Sequence, residues 1–371
     1  MSVQVEEAAS GRQMRDFIRL PLRLYPEHSN FVPHLLRERR EFFSSENPLF
    51  QFTDVCYLLA RDDSGRAVGR LTAHVNHRYN DYWGEKTGFF GFLETVERPE
   101  VAEALLAEAE RRLADRGMRR VRGPFSFSTN QECALLVEGF DEEPAFMMPY
   151  NPPFYPDYLE RCGYDRAKDL LAYSYDSGGD VPPRLSRFAR KAQERTDVSV
   201  RPVDPDRFRH DVARAFSVYN RAWSRNWGFV PMTEEQFEFM AESLRPVVEP
   251  ELALIAELDG EPVGFSLALP DYNRVLKRMN GRLFPFGIFR FFFGRRRIDS
   301  VRVLTMGVVR EHRRSGIDVL LIHRTFVNGI ENGFTRGEFS WVLEDNVLLR
   351  RTLERMGARV SKTYRIFEKS L

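Results

Sequence analysis

Arg313-Arg314-Ser315-Gly316 joins an apolar run at 301–309 to a helical stretch that begins near Gly316 and stops at Gly333. A turn of this kind presents successive main-chain N–H groups with a helix dipole behind them, which is chemistry for holding phosphate. The candidate seat runs through Arg313, Arg314, Ser315, Gly316, Ile317 and Asp318. Gly316 would let the main chain approach an anion with no Cβ between them. Asp318 works against that use, because a carboxylate facing the seat repels phosphate. Glu338 and Glu344 bracket the next strand-like run. Each is read either as a general base, should burial lift its pKa toward neutral, or as a surface carboxylate. Tyr364, in the closing run 364–367, is a proton donor or a plain sheet tyrosine.

These residues need a sheet to position them. Before the turn, 252–269 reads as a hairpin around Asp259-Gly260. After the helix come the strand 338–343, a short Asn346-led helix ending at Gly357, and a final strand. The first half repeats this order. A hairpin at 56–75 turns at Ser64-Gly65, and 88–96 supplies a strand. Pro99 opens a helix whose Val101, Ala102, Leu105, Leu106, Ala109 and Leu113 share one face before Gly117 ends it. Leu159-Glu160-Arg161-Cys162-Gly163 then echoes Leu353-Glu354-Arg355-Met356-Gly357, ahead of a strand at 170–175. The offset between matching points rises and falls again along the chain, so each copy carries its own insertion of about 20 residues. Glu97-Arg98-Pro99-Glu100 stands where the first copy's phosphate turn belongs, and its acidic residues oppose an anion.

Two insertions stand out. The first, near 126–149, is followed by Asn151 and Tyr155 and holds Asn130 and Glu132. It reads as a wall of an acceptor pocket, with Glu132 meeting an amine, or as a structural loop pinned by Asn side chains. The second, near 274–300, sets Phe284, Phe286, Phe289, Phe291, Phe292 and Phe293 among arginines. It reads as peripheral membrane contact through 284–297, or as a helix packed over the other half. Trp223 and Trp227 form a wall over an acyl channel or an ordinary helix-end cluster.

The 371 residues suit two domains: 1–176, a linker at 177–200, and 201–371. Lys+Arg 55 against Asp+Glu 54 leaves a net charge of +1, which gives no global attraction to nucleic acid. Cys56, Cys133 and Cys162 lack C-x-x-C spacing and read as buried thiols of a reduced cytoplasm. No metal constellation, nucleophile elbow or dinucleotide fingerprint is present. No stretch is long and apolar enough to span a bilayer.

Hairpin, strand, R-x-x-G turn, helix, strand, Asn-led helix and closing strand resemble the GNAT superfamily of acyl-CoA N-acyltransferases. The phrases GFFGFLE, RGPFSFSTN, EGFDEEP, YNPPFY and NWGFVPM look like a tandem-domain bacterial group that includes ceramide synthases. The resemblance implies an α/β fold of two tandem GNAT-like domains, each a mixed, mostly antiparallel central sheet flanked by helices. It implies acyl-CoA as donor substrate, held by the 313–318 main chain with Asn346 nearby, and an N–H near Val308 facing the thioester oxygen. Leu353 falls where many relatives carry a Tyr that protonates the leaving thiolate. A lipid amine such as a sphingoid base is the implied acceptor, on the cytoplasmic side of the inner membrane. A small-molecule N-acetyltransferase, an aminoacyl or peptidyl transferase, and a non-catalytic acyl-CoA or lipid binder are the other readings.

Overall fold

The computed structural model describes residues 2–26, 29–282 and 287–371, the side chains of Ile288 and Phe292 excepted. The expected Phe284 and Phe286 lie outside the described residues. Thirteen strands occur among them: β1 (Gln4–Glu7), β2 (Thr53–Arg61), β3 (Ala67–Asn76), β4 (Thr87–Thr95), β5 (Arg120–Gly123), β6 (Leu135–Glu138), β7 (Asp165–Asp176), β8 (Ser199–Pro202), β9 (Ala253–Leu258), β10 (Glu261–Pro270), β11 (Ser300–Val308), β12 (Arg336–Leu343) and β13 (Arg359–Ser370). The chain forms two compact units. One holds residues 1–170, 273–294 and 362–371; the other holds 171–272 and 295–361.

In the first unit the strand order is β1-β2-β3-β4-β5-β13, with β6 also on β13. Only β4 and β5 run parallel among the pairs of that unit. The Pro99–Asp115 helix lays Val101, Ala102, Leu105, Leu106, Ala109 and Leu113, all buried, on this sheet. That face is the one helical spacing predicts. A second cluster is built on Phe17, Leu59, Ala67, Phe92 and Phe127, with Phe42 and Phe43 packed against it.

The second unit runs β7-β12-β11-β10-β9-β8. Asp259 and Gly260 both take positive φ, +50° and +82°, as the expected two-residue hairpin turn requires. The helix Ile317–Glu331 follows β11, and the helix Val347–Met356 follows β12 and ends in a left-handed Gly357. Leu353 is fully buried with Leu171, Tyr173, Phe339 and Val342.

Compactness divides the chain differently from the contiguous boundaries 1–176 and 201–371. Most of the chain's last strand completes the first unit, where Phe367 pairs with Gly123 and Tyr364 with Leu136. Residues 171–176 of β7 lie in the second unit. The insertion after β10 forms helices Asn273–Met279 and Gly287–Arg295, and residues 273–294 belong to the first unit. Within 177–200 the chain forms a helix, Pro183–Gln193, which packs on the Ile317–Glu331 helix.

Candidate active site

In the second unit β11 and β12 are parallel and pair from Ser300↔Arg336 to Val303↔Phe339. Beyond that point their ladder stops, although both strands continue. Residues 304–308 and 340–343 are left unpaired with each other, so main-chain groups face a gap that another molecule can line. Trp223 covers the end of β11: its ring lies 2.4 Å from where a Cβ on Gly307 would stand, so only glycine fits beneath it. Tyr219 stacks on Trp223 at 4.8 Å, and Phe229 and Phe237 continue the aromatic wall.

The turn lies at the end of β11. Val308 is buried and pairs with Gly264. Arg313 turns inward, donating from Nε to the Val308 carbonyl at 3.4 Å and from Nη2 to the Ala222 carbonyl. It therefore fastens the turn to β11 and to the Phe208–Trp223 helix. Ser315 Oγ donates to the His312 carbonyl at 2.6 Å, and Arg313 and Arg314 are both exposed at the turn. Arg314 and Gly316 both have positive φ, +80° and +88°. The helix that follows has no side-chain cap at its N-terminus. The N–H groups of its first turn, with those of Arg314 and Gly316, find no main-chain acceptor among the described residues. A diphosphate fits that donor set. Half-buried Asp318 sits in the same first turn, where it complements the dipole and competes for it.

Packing gives a further reason for glycine at 316. A Cβ there would stand 2.7 Å from the Ala192 Cβ of the Pro183–Gln193 helix. The space belongs to a packed helix, and the left-handed φ independently favours glycine. Asn346 acts as an N-cap, accepting from Leu349 N at 3.3 Å.

Glu338 is buried, opposite Arg302 in register, and just short of the gap. Ser340 Oγ donates to Glu338 Oε1 at 2.8 Å and accepts from Arg302 Nε at 3.0 Å. Arg302 lies 5.2 Å from the Trp341 ring and is almost wholly buried. Glu344 follows β12 in a turn, where Arg350 Nη1 holds its carbonyl at 2.7 Å. Tyr364 is fully buried, on the part of β13 that belongs to the first unit.

Among the described residues the first unit shows no such gap between β4 and β5. Past Phe89↔Arg122 the chain stays on β4: Phe125 N donates to the Phe90 carbonyl at 2.8 Å, and a Cβ on Gly91 would stand 1.7 Å from the Phe125 carbonyl oxygen. At the following helix Pro99 removes an N–H, and Glu100 occupies the first turn beside Arg98 at 2.8 Å.

That unit instead holds a polar centre which sequence reasoning only touched. Glu94, at the end of β4, accepts from Tyr25 Oη at 2.7 Å and from Tyr155 Oη at 3.2 Å. Arg70, its cross-strand neighbour, approaches to 3.8 Å and donates to the Phe17 carbonyl at 2.7 Å. Burial pushes the Glu94 carboxyl up to about 7, with Glu132 adding to the rise, against the pull of Arg70, Tyr25 and Tyr155. Burial likewise lowers the Arg70 guanidinium to about 10. Glu132, the expected amine partner, is held by Arg39, and His34 Nε2 lies 3.9 Å from it. Burial opposes ionisation of Glu132, yet Arg39, His34 and Arg70 outweigh it and hold the carboxyl below its ordinary range. Asn151 pins this loop, accepting from Leu136 N at 2.7 Å and donating to its carbonyl at 3.1 Å. Of the residues named beforehand, Glu132 and Tyr155 meet here. The one sequence signal for Glu94 is a lone carboxylate closing the apolar run GFFGFLE.

No protein-family model matches the chain. Protein YghO of Escherichia coli K12 is 35% identical over 369 residues, covering 96% of this chain and 93% of that protein. The bacterial ceramide synthase of Caulobacter vibrioides is 33% identical over 367 residues, covering 97% and 95%. Among solved structures, a tandem GNAT protein from the clavulanic acid biosynthesis pathway superposes with a TM-score of 0.59 at 14% identity, covering 100% of this chain and 98% of that one. A GCN5-related N-acetyltransferase from Sphaerobacter thermophilus gives 0.55 at 17% identity, covering 99% and 95%.

Proposed function

Because the chain belongs to the GNAT superfamily, in the tandem bacterial group that includes ceramide synthases, and is an acyltransferase, we propose that it moves a long-chain acyl group from acyl-CoA to the amine of a lipid such as a sphingoid base. The observation that carries this reading is the broken β11–β12 ladder leading to an uncapped helix N-terminus. The donor supplies an activated thioester carbonyl. Main-chain N–H groups of Arg314, Gly316, Ile317 and Asp318 take the charge of its diphosphate, and Arg314 adds a cation. The main chain near Val308 lies where the thioester oxygen would be polarised. Arg313, Ser315 and Asn346 hold the turn and the neighbouring helix in shape. Glu338, whose oxygen accepts a hydrogen bond from the Ser340 hydroxyl, stiffens the β12 side of the gap. Glu344 stands at the mouth.

The aromatic wall of Trp223, Tyr219, Phe229 and Phe237 suits an acyl chain more than an acetyl group. The insertion favours a lipid acceptor as well. Phe289 and Phe293, 60% and 72% exposed, stand four residues apart on one helical face, with Arg290, Arg295, Arg296 and Arg297 exposed around them. Exposed rings flanked by guanidiniums suit an anionic membrane surface, and each arginine near it contributes about 1 kcal/mol. We place the protein peripherally on the cytoplasmic face of the membrane. Among the described residues no helix is long and apolar enough to cross one.

Purified protein given palmitoyl-CoA and sphinganine, assayed for free thiol and for the amide product, tests the reading. Turnover with palmitoyl-CoA well above that with acetyl-CoA is the expected result. A preference for acetyl-CoA would point to small-molecule transfer, and tight binding without thiol release to a non-catalytic binder.

A further inference from the structure

Glu94, Tyr25, Tyr155 and Arg70 come from four separate segments of the first unit and converge on one carboxylate. Nothing in the donor site accounts for them. A core that needed only shape would fill this place with apolar side chains, because buried ionisable groups cost stability. Burying this many is typical of a site that handles protons.

We propose that Glu94, held by Tyr25, Tyr155 and Arg70, binds the acceptor's ammonium group and takes its proton. Three observations support the assignment. First, the carboxylate is poised near 7, so it can accept a proton at physiological pH and release it again. Second, every titratable group facing it leaves that role open. Tyr25 and Tyr155 are raised well above their ordinary range, first by burial, and remain neutral donors. Arg39 is occupied by Glu132, and burial, with Arg39 next, lowers His34 to about 3 and keeps it neutral. Third, Arg70 is 7% exposed and its Nε finds no acceptor among the described residues. An amine carrying a neighbouring hydroxyl or carbonyl oxygen would answer both groups, its nitrogen at Glu94 and its oxygen at Arg70.

The chemistry balances. An N–H bond of the ammonium breaks, an O–H bond forms on Glu94, and the electron pair stays on nitrogen as that of the free amine. The Glu94 side chain keeps 12% exposure, so the centre is not sealed from solvent. Residues 273–294 of the Phe-rich insertion belong to the same unit: the Gly281 carbonyl accepts from Leu36 N at 3.1 Å, and the Gly281 Cα faces the His34 carbonyl. One compact unit thus offers a polar centre for a head group and exposed rings for a lipid surface.

This inference rests on the reading of the protein as an amine acyltransferase, and the test keeps the two apart. Wild-type protein, Glu94→Gln and Tyr25→Phe are compared with palmitoyl-CoA and sphinganine across pH 5.5 to 9, after circular dichroism has confirmed folding. For wild type, kcat/KM for the amine should rise through an apparent pKa near 7. Glu94→Gln should lower it about 100-fold or more and remove that inflection, while palmitoyl-CoA binds as before. Tyr25→Phe should move the inflection. A Glu94→Gln enzyme with wild-type rate and profile overturns the inference and leaves the acyltransferase reading intact. Should wild type not turn over, the reading fails, and calorimetry with sphinganine alone decides the inference. Binding lost in Glu94→Gln upholds it; binding equal in both, or absent from both, overturns it.

Discussion

Glu94→Gln should stabilise the protein in alkaline solution while damaging its activity. The carboxyl has a folded pKa of about 7 against an ordinary value of 4.5, because burial outweighs its favourable partners. Between those two values the folded state binds the proton more tightly than the unfolded chain does. Its contribution to stability is therefore fully present below about 4.5 and lost as pH rises through about 7. That interval corresponds to roughly 3 kcal/mol. Glutamine mimics the protonated carboxyl in size and charge and has nothing to ionise. At pH 5 the variant should be the more stable by only about 1 kcal/mol. At pH 8.5 the variant should be the more stable by roughly 3 kcal/mol in urea titrations followed by circular dichroism. A difference that stays the same at both pH values would show that Glu94 ionises freely, and the poised-carboxylate argument would fail.

Other consequences can be checked alongside. Asp318→Asn removes a carboxylate from the first helical turn beside the seat, so CoA and inorganic pyrophosphate should bind a few-fold tighter by calorimetry, most clearly at low salt; weaker binding would mean that Asp318 faces away. Gly316→Val must adopt φ near +88° against the Ala192 Cβ, so it should lower unfolding free energy by about 2 kcal/mol or more before any ligand is added. Equal stability in urea would contradict the packing described. Phe289→Ser with Phe293→Ser should cut sedimentation with anionic vesicles about 10-fold or more and leave zwitterionic binding low throughout. Unchanged sedimentation would remove the membrane contact. Ser340→Ala leaves Arg302 and Glu338 without their shared hydroxyl and should cost about 1–3 kcal/mol of stability.

Local pattern made much of this fold legible. Alternating and helical spacing located both hairpins, the Pro99–Asp115 helix face and the short helices ending at Gly163 and Gly357, because each depends on neighbours a few residues away. Long-range pairing was not legible. Tyr364-Arg365-Ile366-Phe367 reads as a strand in any sheet, and nothing in its composition says that it pairs with β5 and β6 of the first unit. The same limit applied to the sites. Arg313-Arg314-Ser315-Gly316 is contiguous, so its turn could be read directly, but the inward swing of Arg313 depends on the Ala222 carbonyl, far along the chain. Glu94 gains its character from Tyr25, Arg70 and Tyr155, none of them its sequence neighbour. Glu132 was singled out as a carboxylate in a loop, whereas Arg39 brings a partner charge that only folding supplies.

The donor seat itself is tested most directly by a crystal structure of the protein with S-hexadecyl-CoA, a thioether that cannot transfer its chain. The diphosphate should lie within about 2.7–3.2 Å of the N–H groups from Gly316 onward, with the pantetheine arm entering between β11 and β12 and the alkyl chain running toward Trp223. Electron density for the ligand anywhere else, or an Asp318 carboxylate filling that corner while CoA binds elsewhere, would contradict it.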